Sequence, residues 1–452
     1  MRRGDTLGLR ALADRFADAV APDLSNRTRD GRWITILAWS LVRAREASHA
    51  NGARDTAVSE QKKSSYYTWL RPLELLWVAR TIALAGTDWR KRSLSGQRRV
   101  QPWYDEAKEA KSRAAPRFGM SVEQFSAYRQ TGMYGAYRLV FRKLPGMTIL
   151  GDGWTPDTET IALAKWLDRR LGTSRPDWKV GADPAEDDAG TNKFKRLGRT
   201  QDECHWWLRQ WDRFDKGGAN ADASTLPRQK TDYSVLPEAT LLKPLLFGSD
   251  SAGVRRTAIA NEIVKSNGAD EQAVCMHLAR VFGSDHTIAV LPQFTQLAEA
   301  GMNVMHLMAE RLGNKASVGL DDVAAQPPVR RACSQLHDAA RVWRDAAKNE
   351  FRHINQAHDF ADAILDAGSI EASACLRAVL FHHEARGGGL RWFVLRGDLI
   401  ESRTPPSGDA RSRYSFRLWP LCRLATQCGV LRRMPAALVD DSDADTEEFI
   451  DG

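Results

Sequence analysis

The chain lacks every compact signature by which a reaction is commonly read from sequence. No Walker A loop, GxGxxG, HExxH or GxSxG motif occurs in its 452 residues, which removes the phosphate-cradling, zincin and nucleophile-elbow readings. The His-x-Lys pattern of a phosphodiesterase is missing too. Cysteine is sparse: Cys204, Cys275, Cys333, Cys375, Cys422 and Cys428 are scattered, with no CxxC pair to frame zinc. Such spacing fits buried thiols in a reducing compartment. Long apolar runs are also lacking. The longest, residues 73–85, is broken by Glu74 and Arg80 and falls short of the ~20 residues a bilayer needs. The first residues, Met1-Arg2-Arg3-Gly4-Asp5, carry no apolar signal core. The expectation is a cytoplasmic protein with no membrane partner and no cofactor, in which the sequon Asn26-Arg27-Thr28 is chance.

What is present is positive charge and tryptophan. There are 65 Lys+Arg against 57 Asp+Glu, a net charge of +8, and 15 Trp. The charge is segregated. Residues 1–150 hold 27 basic against 14 acidic side chains, and residues 440–451 hold seven acids and no base. A basic body attracts nucleic acid or an acidic partner, because neutralising phosphates releases counterions. The acidic end reads as a disordered interaction segment.

Helical periodicity dominates. Leu9, Leu12, Phe16 and Val20 share one face. Residues 33–42 are apolar on nearly all sides and predict a buried helix. Further helices are expected after Pro72 and over 122–130, 134–143, 158–171 and 204–214. The longest should run over 328–366, with a break near Asn349 or Asn355. A hairpin is expected at 390–403 around Gly397-Asp398, and residues 414–427 read as strand running into helix. A winged helix is one frame for this end. The predicted fold class is therefore mainly α, with multi-helix N-terminal and C-terminal domains and a small β-hairpin module near the C-terminus. The predicted divisions are a basic, Trp-rich helical domain (1–172), a loop-rich connector (173–235), a helical domain with the long helix (236–388), the hairpin-plus-helix module (389–439) and the acidic tail (440–452).

Three sets of basic residues are candidates for holding phosphate. Arg90, Lys91 and Arg92 follow Trp89, and Arg98 and Arg99 precede Trp103. Guanidinium forks match phosphate geometry and Trp can stack on bases. The competing reading is a solvated loop anchored by a buried Trp89. Arg138, Arg142 and Lys143 lie on one helical stretch after Tyr134 and Tyr137; an ordinary exposed face is the favoured reading there. Arg391, Arg396, Arg403 and Arg413, with Arg411 and Arg417, decorate the expected hairpin; a charged β-ribbon can enter a groove or lie on backbone phosphates, and can equally dock onto an acidic partner.

Catalytic constellations are thin. Glu106-Ala107-Lys108, Glu109-Ala110-Lys111 and Asp177-Trp178-Lys179 have the letters of a nuclease strand motif but not its setting. His353 and His358 are five apart, which misaligns them on a helix. His382 and His383 are adjacent and diverge, which favours core or solvent roles. Met302, Met305 and Met308 read as core filling.

The stretch from Phe16 to Trp39, including Asn26-Arg27-Thr28-Arg29-Asp30-Gly31-Arg32-Trp33, resembles the opening of an uncharacterised bacterial family. Residues Tyr134 to Pro145 are similar to that family's LKRLP region, whereas Gly146 to Trp154 do not match its following Tyr-Trp-Gly-Leu text. Members are encoded beside helicases, methyltransferases and nucleases in phage-defence islands. The resemblance covers about a third of the chain and implies a context, not an activity or a set of site residues. The leading expectation is a non-catalytic DNA-binding or scaffolding subunit of an antiviral complex, docked to an enzyme such as a helicase or nuclease. The alternatives are a structural subunit of an RNA-guided or other multi-protein effector, and a diverged metal-dependent nuclease.

Overall fold

The computed structural model describes residues 5–50, scattered positions in 70–92 and 132–137, elements within 147–171, and then 223–403 and 416–439 with brief interruptions. The fold is mostly helical, with a small three-stranded antiparallel sheet near the C-terminus. The predicted helices at 122–130 and 204–214 and the acidic tail lie outside the described residues, as does most of that at 134–143. Contacts divide the chain into two compact units. One gathers residues 1–22, 258–418 and 435–452; the other gathers 23–257 and 419–434.

In the first unit, α1 (Arg10–Val20) buries Leu12, Ala13, Phe16, Ala17 and Val20 on one stripe. Phe16 is the hub of an aromatic cluster. Its ring lies 4.9 Å from Phe294 and 5.5 Å from Phe351, with Trp343 and Phe416 meeting it edge-on. Such pairs add to the area they bury. Phe294 belongs to α2 (Leu291–Leu312) and Trp343 to α3 (Pro327–Ala347). Both helices open with Pro in the first turn, where its missing N–H is harmless. Met302, Met305 and Met308 are buried along α2.

The long helix expected over 328–366 is two helices: α3 and α4 (Gln356–Asp366). Between them Lys348 and Phe351 adopt left-handed φ of 48° and 62°. That conformation is unfavourable for non-glycine residues. Burial of the Phe351 ring against Phe16 and Trp343 supplies a compensating gain.

The sheet combines β1 (Ser317–Gly319) with the hairpin of β2 (Phe393–Arg396) and β3 (Leu399–Ser402), in the order β1-β3-β2. Gly397, at φ 60°, makes the tight turn. Alternation puts Phe393, Ile400 and Val318 in the core and Arg396 and Leu399 outside. The strand β1 corrects the all-helical reading of residues 236–386. No strand precedes the helix at 418 among the described residues of 414–427.

The helix before the hairpin, α5 (Ala372–Arg386), anchors the start of the chain. His382 Nε2 bonds the Leu7 carbonyl at 2.9 Å, and His383 Nδ1 bonds that of Thr6 at 2.7 Å. Nε2 of His383 accepts the Trp392 N–H at 3.0 Å. The His383 ring must therefore be neutral with its proton on Nδ1. Burial above all, helped by Arg391, pushes its pKa below the ordinary 6.5, against the Thr6 bond and Glu384. Unfolded, this ring takes up a proton near pH 6.5; folded, it resists. Its contribution is whole above that pH and is lost as pH falls through the depressed folded value. Urea unfolding between pH 7.5 and 5 should show stability falling, and His383→Gln should flatten that fall. An unchanged slope in the variant would remove His383 from the account.

In the second unit, α6 (Gly31–Ala50) is buried on all sides through its first turns, as its apolar text predicts: Trp33, Ile34, Ile36, Leu37, Ala38 and Trp39 are all inaccessible. It packs on α7 (Thr158–Leu171), where Asp168 accepts from the Trp39 indole at 2.7 Å and pairs with Arg43. A hairpin of β4 (Met147–Leu150) and β5 (Gly153–Pro156) precedes α7. The unit also contains α8 (Ala239–Phe247) and α9 (Leu418–Gln427).

Candidate nucleic-acid interface

Much of the arginine counted in the sequence points inward. In the second unit Arg32, Arg80, Arg256 and Arg423 are among the largest fully buried side chains. A guanidinium out of water needs a carboxylate and carbonyls to replace its hydration. Arg32 forks onto Glu238, with Nε 2.6 Å from Oε1 and Nη2 2.8 Å from Oε2. Thr35 donates to the same carboxylate at 3.0 Å. The remaining Arg32 nitrogen donates to the Ser224 carbonyl.

Three more arginines follow along the same segment. Arg80 donates to Thr225 Oγ1 at 2.9 Å, Arg92 to the Pro227 carbonyl and Arg423 to the Gln229 carbonyl at 2.8 Å. Arg92 and Gln229 also form an isolated antiparallel bridge. Asp30 closes the arrangement: one carboxylate oxygen accepts the Arg228 N–H at 2.7 Å, the other the N–H of Arg32 and the Gln427 amide. Tyr137 accepts the N–H groups of Arg29 and Asp30 through its hydroxyl. Arg32 lies over the Trp166 ring and Arg423 over Trp419, each 5.0 Å from the centroid. Burial lowers the pKa of Arg32 and Arg423; Glu238 and Asp30 oppose the shift at Arg32, and Asp30 leads the opposition at Arg423. Residues 224–229 are thus clamped by guanidinium groups from distant parts of the chain. A buried loop requires this, since its carbonyls have no water to accept from.

The outward arginines are on the hairpin. Arg391 is exposed beside β2. Arg396 is 63% exposed and its Nε lies 3.1 Å from Glu401, which at 3.4 Å also meets Arg403, 48% exposed. One carboxylate thus serves two guanidiniums, leaving cationic excess. Exposed pairs of this kind contribute about 1 kcal/mol or less, so a phosphate can displace them. Arg377 on α5 pairs with Asp398 and donates to the Gly397 carbonyl at 3.2 Å, fixing the turn.

Of the sequence candidates, Arg391, Arg396 and Arg403 share this ribbon. Arg92 is half-buried and held by its own chain. Arg90, Lys91, Arg98, Arg99, Arg138, Arg142, Lys143 and Arg413 lie outside the described residues, as do Arg411 and the nuclease-like triplets. Arg417 is buried at φ 62°, holding Asp18 and the Ala21 carbonyl. His358 accepts from Arg344 at Nδ1.

The order β1-β3-β2, with a helix leading into the hairpin, is the strand order of a winged helix. Here, however, β1 is followed by the short helix Leu320–Ala324, α3, α4 and α5 before the hairpin. The accessible positions of α5 include Ala374, Arg377, Phe381 and Glu384. Arg377 is tied to the turn, so these described positions carry no array of base-reading donors. Among the described residues no three His, Cys, Asp or Glu side chains are grouped to hold a metal ion, and no helix is long and apolar enough to cross a membrane. Comparison with family models, curated proteins and solved structures produced no match.

The clamp residues Asp30 and Glu238 were missed by the sequence reading. Glu238 is some two hundred positions from Arg32, and only the run Asp30-Gly31-Arg32-Trp33 hints at the site. Arg32→Met or Glu238→Leu alone should lower stability by about 3–5 kcal/mol, since each leaves a buried charge unpaired. The double variant should recover much of that loss. Denaturant titration of the three proteins checks this, and additive losses would contradict the pairing.

Proposed function

We propose that the chain is a non-catalytic subunit that holds nucleic-acid backbone on its C-terminal hairpin and docks to an enzyme partner. The observation that supports it is the outward pair of Arg396 and Arg403 sharing a single carboxylate, Glu401, with Arg391 exposed just before the same hairpin. Phosphate is the natural ligand for forked, partly neutralised guanidiniums. The net charge of +8 adds long-range attraction. Contact through a ribbon, with little donor chemistry on α5, favours backbone over base recognition. The antiviral setting and the helicase or nuclease partner rest on the sequence resemblance. A protein-docking reading has one observation of its own: Leu399, 49% exposed, shares the outer face with Arg396.

Fluorescence anisotropy with labelled duplex and single-stranded DNA across a salt series distinguishes these readings. The account expects binding that weakens steeply with salt. Replacing Arg391, Arg396 and Arg403 by Ala should reduce the slope of log K against log salt on duplex by about two to three. Absent binding, or binding that the triple variant leaves unchanged, would overturn the hairpin assignment.

A further inference from the structure

Two of the buried cysteines are not isolated. Cys333 lies on α3 and Cys375 in the first turn of α5, and these helices pack together. The Cys333 sulfur reaches the Ala372 carbonyl at 3.9 Å. Ala372 and Cys375 are three residues apart and so lie on one face of α5. The carbonyl that the Cys333 sulfur meets is thus one helical turn from Cys375. Neither is sealed completely: Cys333 keeps 5% of its surface and Cys375 3%.

Their electrostatics differ. Hydrogen bonding from Cys375 lowers the pKa of Cys333, while the Cys375 thiol, which gives up the bond if it ionises, is pushed well up. At Cys275, Cys422 and Cys428 burial, as the leading cause, holds the thiol above its ordinary range. Cys333 is therefore the thiol of the described set best placed to react as a thiolate.

We propose that Cys333 and Cys375 are a reversible thiol–disulfide couple which, on oxidation by a hydroperoxide, staples α3 to α5. The Cys333 thiolate attacks a peroxide oxygen, the O–O bond breaks, and Cys333 becomes a sulfenic acid as alcohol or water departs. The Cys375 sulfur then displaces the hydroxyl, which leaves as water with the Cys375 proton, and the S–S bond forms. Two thiols lose two electrons and two protons, and the peroxide takes up both pairs. A small dithiol reverses the step by exchange. The staple sits on the helix that carries His382 and His383 and leads into the arginine hairpin, so it joins the aromatic core of the first unit to the element that holds residues Thr6 and Leu7.

The test uses the full chain treated with tert-butyl hydroperoxide, alkylated under denaturing conditions and digested without reductant. Mass spectrometry should find a Cys333–Cys375 cross-linked peptide that dithiothreitol abolishes, with the other cysteines alkylated. The oxidised protein should melt several degrees higher than the reduced one. In Cys375→Ser, oxidation should stop at Cys333 and be trapped there by dimedone. Cross-linking to any other cysteine, or both thiols recovered as alkylated after oxidation, would overturn the proposal. So would a Cys375→Ser protein whose Cys333 gives no dimedone adduct.

Discussion

The second unit is organised around a guanidinium that has been taken out of water. Arg32 is inaccessible, and its partner Glu238 is equally so. Desolvating two charges is tolerable only when the remaining donors and acceptors are met. This requirement explains why Thr35 turns to Glu238, why Ser224 offers its carbonyl, and why Asp30 caps the neighbouring N–H of Arg228. Arg80, Arg92 and Arg423 extend the same solution along residues 225–229. Arginine suits this use better than lysine would. Its planar fork serves a carboxylate and a carbonyl at once, and its flat face stacks on Trp166 or Trp419.

The basic excess of this chain is therefore two populations with different physics. Inward arginines are held by carboxylates, carbonyls and a hydroxyl of the chain itself. Outward Arg396 and Arg403 on the hairpin are held by a weak, shared pair in high dielectric, where a polyanion competes well. Charge segregation in the sequence mixes the two. Arg92 shows the difficulty: its neighbours Arg90 and Lys91 make it look like part of a loop cluster, yet it supports the backbone of Pro227.

Elements whose signals are local were legible. The helix over 158–171 follows directly from its periodicity, and the buried helix beginning at Gly31 from the nearly all-apolar text of residues 33–42. The hairpin was readable because Gly397 supplies the positive φ that its turn requires. Other features depend on contacts far apart in sequence. The strand Ser317–Gly319 has three residues, too few for a period-2 pattern, and exists because β3 pairs with it. The break after α3 was expected near Asn349 or Asn355; it carries left-handed backbone at Lys348 and Phe351, and the Phe351 ring is buried in the aromatic cluster around Phe16. Nothing near Glu238 announces that Arg32 will meet it, and nothing near Thr6 announces His383.

Hydrogen–deuterium exchange of the full chain with and without a short DNA duplex at low salt tests the central claim, that inward and outward arginines divide the work of folding and binding. Peptides covering residues 223–236 should exchange slowly in both states and not respond to DNA, while those covering 391–403 should gain protection. Protection appearing across 27–32 and 223–236, with the hairpin unchanged, would contradict the account.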